Sequence, residues 1–157
     1  MLDIGCGWEA RLLMAMEPHI RQGAGIDFKA PDIQTAKIKT YQGTLNSELP
    51  FKNESFDVVT MLAVLEHLAK PVEIANEIWR VLAPGGRLVI TVPSRAARPV
   101  LEFLAYKLKI VSEDEIRDHK TYYNYHDLVV LFGQTQLTVE RHHYFQLGMN
   151  NFCLLRK

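Results

Sequence analysis

Leu2-Asp3-Ile4-Gly5-Cys6-Gly7 places an acidic residue late in a short apolar run and follows it with two glycines one residue apart. Beyond it, Leu12, Leu13, Ala15 and Met16 recur at helical spacing, so the stretch reads strand, tight turn, helix. Glycine in such a turn lets the backbone approach a ligand with no Cβ in the way. The helix start beyond it presents free N–H groups. The chain thus begins almost inside a candidate ligand site.

Two patterns overlap at that turn. Gly5-Cys6-Gly7-Trp8-Glu9-Ala10 fits G-x-G-x-x-G/A, and Asp27 follows at about the distance of the ribose-binding acid of a dinucleotide fold. That pattern alone describes a nucleotide-dependent oxidoreductase. Asp3 points elsewhere: a carboxylate facing two phosphates is repelled, whereas a cationic sulfonium with an ammonium group is favoured. An acid immediately before G-x-G resembles motif I of the class I S-adenosylmethionine methyltransferases.

Further motifs follow in register. Leu49-Pro50-Phe51 precedes Ser55-Phe56-Asp57-Val58-Val59, then Val64-Leu65-Glu66-His67-Leu68, then Arg80-Val81-Leu82-Ala83-Pro84-Gly85-Gly86-Arg87-Leu88-Val89-Ile90. Their order and spacing resemble the type 11 group of class I methyltransferases, well over about residues 1–93 and loosely beyond.

The apolar pattern supplies its own elements. Strands are expected at 1–4, 24–27, 40–42, 56–62 and 87–92, with helices at 9–16, 72–81, 99–109 and 125–132 and a helix or turn at 33–38. Pro84-Gly85-Gly86 punctuates the approach to the strand at 87–92. This alternation favours a parallel, doubly wound sheet. The last two runs, 138–145 and 151–155, are joined by Leu147-Gly148-Met149-Asn150. A connection that short joins antiparallel neighbours, because a parallel pair needs a crossover. The resemblance therefore implies an α/β, Rossmann-like seven-stranded methyltransferase fold of order 3-2-1-4-5-7-6, with the last strand antiparallel. Residues 1–157 are expected to form one domain, with 94–125 an insertion serving as the acceptor lid.

S-adenosylmethionine is the cofactor that the resemblance implies. Gly5, Cys6 and Gly7 would pass beneath its methionine part and Asp3 would orient its ammonium group. Asp27 would accept hydrogen bonds from the ribose hydroxyls, while Phe28 would pack on the adenine or line the core. Met61 and Leu62 would flank the methionine part through backbone carbonyls. Two positions depart from the family pattern: Glu9 replaces a third glycine, and Gly43-Thr44-Leu45 stands where Gly-Asp-Ala is common. Thr44 or the Leu45 N–H would meet the adenine edge more weakly than a carboxylate. The family's leading helices are also missing, so the chain is either truncated or does without that cover.

Methyl transfer needs alignment above all, with a base only when the acceptor loses a proton. His119 is the first candidate base and His67 the second, with Tyr122 or Tyr123 presenting a ring to the sulfonium. Glu66-His67 also reads as a structural pair, Glu66 capping backbone at a helix start and His67 packing under a loop. Val100, Leu101, Leu104 and Leu108 fall on one face of the lid and Arg95, Arg98, Lys107 and Lys109 on others, which would suit an anionic or sugar-bearing acceptor or would only be solvated. The favoured acceptor is a hydroxyl or carbon of a small molecule, since no nucleic-acid motif and no Asn-Pro-Pro-Tyr-type tetrapeptide is present. A non-catalytic methyltransferase-like interaction domain is the alternative, which Glu9, Thr44 and the absent leading helices favour.

Composition narrows the classes independently. The chain has 157 residues, 48% hydrophobic, with 18 basic against 18 acidic side chains, so no global field draws it to nucleic acid or an anionic membrane. No apolar run reaches the ~18–20 residues of a membrane span, and no secretory leader precedes the first strand. Cys6 and Cys153 read as thiols of a cytoplasmic protein. No metal-ligand spacing stands out.

Overall fold

The computed structural model describes residues 1–45, 48–106 and 120–157. Its seven strands are β1 (Leu2–Ile4), β2 (Gly23–Asp27), β3 (Ile38–Gln42), β4 (Phe56–Leu62), β5 (Leu82–Pro93), β6 (Thr138–Phe145) and β7 (Asn150–Arg156). They form one sheet in the order β3-β2-β1-β4-β5-β7-β6. The β1–β2, β1–β4, β2–β3 and β4–β5 pairs are parallel, while β7 runs antiparallel to both β5 and β6. The reversed strand is the one the short 147–150 connection demanded.

Four helices accompany the sheet among the described residues: α1 (Arg11–Met16), α2 (Pro71–Val81), α3 (Ala97–Tyr106) and α4 (Tyr125–Phe132). Helix α2 buries Ile74, Ala75, Ile78 and Val81, which recur at 3–4 spacing, and α4 buries Leu128, Leu131 and Phe132. These pack in one core with Leu2, Ile4, Val59, Met61, Leu88, Ile90 and Leu155 of the sheet. Each fully buried side chain of this kind contributes about 1.5–3 kcal/mol. A smaller cluster joins α1, through Leu13, to Cys6, Ala10 and Ile38. There Gly25 keeps the approach open, because a Cβ on it would lie 2.6 Å from Leu13 Cδ1.

Arg80 ties the segment after β3 to α2. Its guanidinium donates to the carbonyls of Leu49 (2.9 Å) and Phe51 (2.7 Å), to Asn53 Oδ1 (2.9 Å) and to Glu77 Oε1 (2.8 Å). Glu77 Oε2 in turn accepts from Leu49 N at 2.8 Å. Phe51 then sits edge-on between Tyr41 and Phe56, with ring centroids 5.3 and 5.1 Å apart. The Leu49-Pro50-Phe51 motif is thereby a structural anchor.

Local differences from the sequence reading have physical causes. Helix α1 begins at Arg11 and not at residue 9, because Ala10 adopts a left-handed conformation (φ 48°). Glu9 therefore stands outside the helix and pairs with Arg11. Residues 33–38 form a turn without a helix, closed by Thr35 N donating to Ile38 O at 2.9 Å. Strand β5 starts at Leu82, before Pro84-Gly85-Gly86, and absorbs those residues as a shift of register against β4 between Phe56 and Val58. Helix α3 begins at Ala97, two residues before its expected start. Residues 107–109 of the expected helix lie outside the described residues.

Candidate functional site

From β1 the chain proceeds to β2 on one side, whereas β4 lies on the other. Ligands of open α/β sheets bind at the carboxyl ends of strands at such a switch point. The glycine turn stands there. Gly5, at φ +76°, donates its N–H to Ile26 O at 2.8 Å. A Cβ on Gly5 would come 2.2 Å from Cγ2 of Val64, beyond the end of β4. Gly7 (φ +69°) faces open space, with nothing within 4 Å of a Cβ built on it. One glycine is required by packing as well as dihedral; the other leaves room.

Asp27 sews this turn to the end of β2. Its Oδ2 accepts from Gly7 N at 3.0 Å and its Oδ1 from Lys29 N at 2.8 Å. A carboxylate offers about four lone-pair sites, so each oxygen retains acceptor capacity. Asp3 is only 4% exposed and accepts from Thr60 Oγ1 at 2.6 Å. Burial pushes its carboxyl up to about 6; the Thr60 hydrogen bond opposes the shift and the like-charged Asp27 adds to it. Burial, with Asp3 and Asp27 nearby, also pushes the Cys6 thiol up to about 11. That thiol is no nucleophile at neutral pH.

A cleft of about 320 Å³ opens here, lined by Asp3, Gly5, Cys6, Trp8, Leu12 and Leu62. A larger groove of about 1080 Å³ runs past Met1, Gly23, Ile38 and Phe56. Those residues lie at the amino ends of the same strands, away from the glycine turn. The smaller cleft is the chemically furnished one.

The structure gathers Asp3, Gly5, Cys6, Gly7, Asp27 and Leu62 around this turn. Met61 has its side chain in the core at 1% exposure, leaving only its backbone for a ligand. Phe28 is 61% exposed at the end of β2, with Lys29 Nζ 5.0 Å from its ring centroid, so it does not line the core. Thr44 is exposed, and Leu45 is half-buried against the main core. His119 lies outside the described residues. Tyr122 is half-buried, whereas Tyr123 is the deeply buried one at 5% exposure.

The Glu66-His67 pair departs from its structural reading. It sits in a 3-10 turn, Leu65–His67, and not at the start of a helix. Glu66 is 1% exposed, and neither carboxylate oxygen has a hydrogen-bond partner among the described residues. Side-chain capping is therefore absent. His67 is half-buried. In the segment expected to form the lid, Arg95 pairs with Asp127 at 2.7 Å and Arg98 with Glu102 at 2.9 Å. Lys107 and Lys109 lie outside the described residues. An anionic acceptor thus loses two of its four expected cations to neighbouring carboxylates.

Two polar residues escaped the sequence reading. Thr60 meets Asp3 only because β1 and β4 pair in parallel register, which no local pattern encodes. Asn151, fully buried, donates from Nδ2 to Tyr123 O (2.7 Å) and Val92 O (3.2 Å), and its Oδ1 bonds His142 Nε2 at 2.9 Å. An asparagine amid the apolar run of β7 was the available signal. Among the described residues, no group of three His, Cys, Asp or Glu side chains is placed to hold a metal, and no helix is long and apolar enough to cross a membrane.

Residues 2–90 match the family described as a methyltransferase domain, and the chain belongs to that family. S-adenosylmethionine is its expected cofactor. Over 115 residues the chain is 31% identical to the demethylmenaquinone methyltransferase of Lactiplantibacillus plantarum, covering 65% of this chain and 48% of the relative. It is 32% identical over 95 residues to the human probable tRNA methyltransferase 9B, covering 57% of this chain and 20% of that protein. The chain spans about half the length, or less, of these curated relatives. Among solved structures, the methyltransferase in complex with the Haloferax volcanii Trm112 methyltransferase activator superposes with a TM-score of 0.79 at 18% identity, covering 99% of this chain and 80% of that one. That likeness establishes the shared fold. The cleft residues also suit the cofactor: open space at Gly7, a buried carboxylate beside like-charged Asp27, and spare acceptors on Asp27.

Proposed function

We propose that this chain carries the cofactor site and reaction centre of an S-adenosylmethionine-dependent methyltransferase acting on a hydroxyl or carbon of a small molecule. The supporting observation is the convergence of Asp3 and Asp27 on one glycine turn at the switch point. When bound, the cofactor supplies a methyl group already activated on a sulfonium. Gly5, Cys6 and Gly7 carry its methionine part, and the buried Asp3 carboxylate offsets its ammonium charge. Asp27 accepts from the ribose hydroxyls through its remaining lone pairs. Phe28 offers a ring face to the adenine, Thr44 and Leu45 meet the adenine edge, and the carbonyls of Met61 and Leu62 flank the methionine part.

Residues 94–125 serve as the acceptor lid of a single 1–157 domain. His119, or failing it His67, takes the acceptor proton where one is lost, and Tyr122 lends its ring to the cationic centre. The demethylmenaquinone relative is named for a small-molecule substrate. The tRNA methyltransferase relative supports a second reading, a nucleic-acid acceptor. Calorimetry with S-adenosylmethionine and S-adenosylhomocysteine tests the cofactor assignment, with the melting temperature expected to rise through linkage. A folded protein that shows no heat and no shift at millimolar ligand is instead a non-catalytic domain. Label transfer from S-adenosylmethionine to quinols or to bulk tRNA then separates the two acceptor classes.

A further inference from the structure

The groove at the amino ends of the strands is marked by its charge. Arg21, Lys37, Lys39 and Lys52 line it, each exposed, against one carboxylate among its lining residues, Asp57. The whole chain balances 18 basic with 18 acidic side chains, so this excess is local. Little cancels it. Arg21 stands 3.8 Å from Asp57 with both side chains largely solvated, and an ion pair of that kind holds weakly. Lys37 Nζ donates to the Glu17 backbone carbonyl at 3.1 Å, a neutral partner, while the Glu17 carboxylate accepts from Thr35 Oγ1 at 2.6 Å. Among the described residues, no carboxylate pairs with Lys37, Lys39 or Lys52.

Shape and composition narrow what this charge can hold. The bordering strands lie in the order β3-β2-β1-β4, and at about 4.8 Å per strand their amino ends span about 14 Å. Arg21 precedes β2, Lys37 and Lys39 stand at β3, and Lys52 precedes β4. Cations spread over three segments suit a row of phosphates better than a single anion. Half-buried Tyr41 also lines the groove, with Lys39 Nζ 5.1 Å from its ring centroid. Sites for single-stranded nucleic acid combine these two parts, a cation for the backbone and a ring on which a base stacks. An acidic peptide would meet the cations and leave the ring unused.

We propose that this groove binds a strand of RNA, with its phosphates on Arg21, Lys37, Lys39 and Lys52 and a base against Tyr41. The choice of RNA among polyanions rests on the second reading, a nucleic-acid acceptor. The seven residues of β4 set the groove about 20 Å from the cofactor cleft. A small acceptor in the cleft makes no use of these cations, whereas an RNA is long enough to reach both.

Fluorescence anisotropy of a labelled short oligouridylate, with the full chain and no cofactor, reads the groove directly. Affinity is expected to fall by about three decades per tenfold rise in salt, the slope for four phosphate contacts on a single strand. Lys39→Glu and Lys52→Glu are each expected to weaken binding at least fivefold, with circular dichroism unchanged. Arg141→Glu makes the same change of charge at an exposed position of β6 and is expected to move affinity less than twofold. Should Lys39→Glu not fold, Lys52→Glu, which lies outside the strands, carries the test. The proposal is overturned by absence of binding at low salt, by indifference to the lysine variants, or by an equal loss in Arg141→Glu. Polyglutamate competing as well as unlabelled RNA, or tighter binding of oligothymidylate, overturns it too. Label transfer to bulk tRNA keeps the two readings apart. Lysine-dependent RNA binding without transfer removes the nucleic-acid acceptor and leaves the groove standing; transfer that both lysine variants leave unchanged removes the groove and leaves the acceptor.

Discussion

After β1 the chain turns through Gly5 and Gly7; after β4 it turns through Val64 and the 3-10 segment Leu65–His67, and Val64 fills the space a Cβ on Gly5 would need. Both turns sit beside a buried acid. Asp3 accepts from Thr60 and lines a cleft. Glu66 has no such partner among the described residues, and Lys120 N and Thr121 N donate to its backbone carbonyl. Burial raises both carboxyls, Asp3 to about 6 and Glu66 to about 7. Burial depth alone therefore does not set the role of an acid; what covers it does. One acid lines an open cleft, and the other is covered by chain remote in the sequence.

The contact between the turns is the most vulnerable point. Gly5→Ala introduces both a left-handed alanine and a clash with Val64, and is expected to cost about 3–5 kcal/mol in urea denaturation. A loss below about 1 kcal/mol would show that Val64 can yield and that the turns are independent. Asn151→Ala removes the bonds to Tyr123 O, Val92 O and His142, with an expected cost of about 2–3 kcal/mol. Exchange at Tyr123 should rise in that variant while the glycine turn stays protected. Equal loosening of both turns would erase the distinction drawn between them.

Asp3→Asn sharpens the comparison in the opposite direction. The folded Asp3 carboxyl titrates near 6 against an ordinary value of 3.8, so the folded form binds more protons between those limits. Its contribution to stability thus falls as pH rises from about 4 to 6 and stays low above. Asparagine keeps an acceptor for Thr60 without the charge. The variant should be more stable than the native chain at pH 7.5 by about 3 kcal/mol, with that part of the pH dependence gone. Its affinity for S-adenosylmethionine should nevertheless drop. Native affinity should rise with pH through about 6, as Asp3 ionises, and should be flat in Asp3→Asn. Stability that is unchanged would mean that Asp3 is better solvated than its burial indicates.

Smaller effects follow at the rim. Asp27→Ala is expected to weaken cofactor binding by about 1–2 kcal/mol in calorimetry, and unchanged affinity would remove the ribose assignment. Gly7→Ala meets no neighbour, so it should cost only about 1 kcal/mol of backbone strain, measured beside Gly5→Ala under the same conditions. A loss as large as that of Gly5→Ala would mean that the dihedral, and not Val64, dominates at both glycines.

Much of this molecule is legible in its sequence. Alternating apolar runs give the strands and helices, because periodicity records which face each element buries. The short 147–150 connection gives the reversed last strand, and Gly5-Cys6-Gly7 gives the turn. Asp27 was legible too, as an acid at the end of the second strand. What the sequence could not supply depends on register between distant strands. Parallel pairing of β1 with β4 puts Thr60 on Asp3 and Val64 against Gly5; β7 brings Asn151 under Tyr123; and the return of residues 120–123 leaves Glu66 buried without a cap. Local spacing sets what one element exposes to itself. Only packing between elements remote in the chain decides which polar groups are satisfied, which carboxyls lose their water, and hence which of them titrate near neutrality.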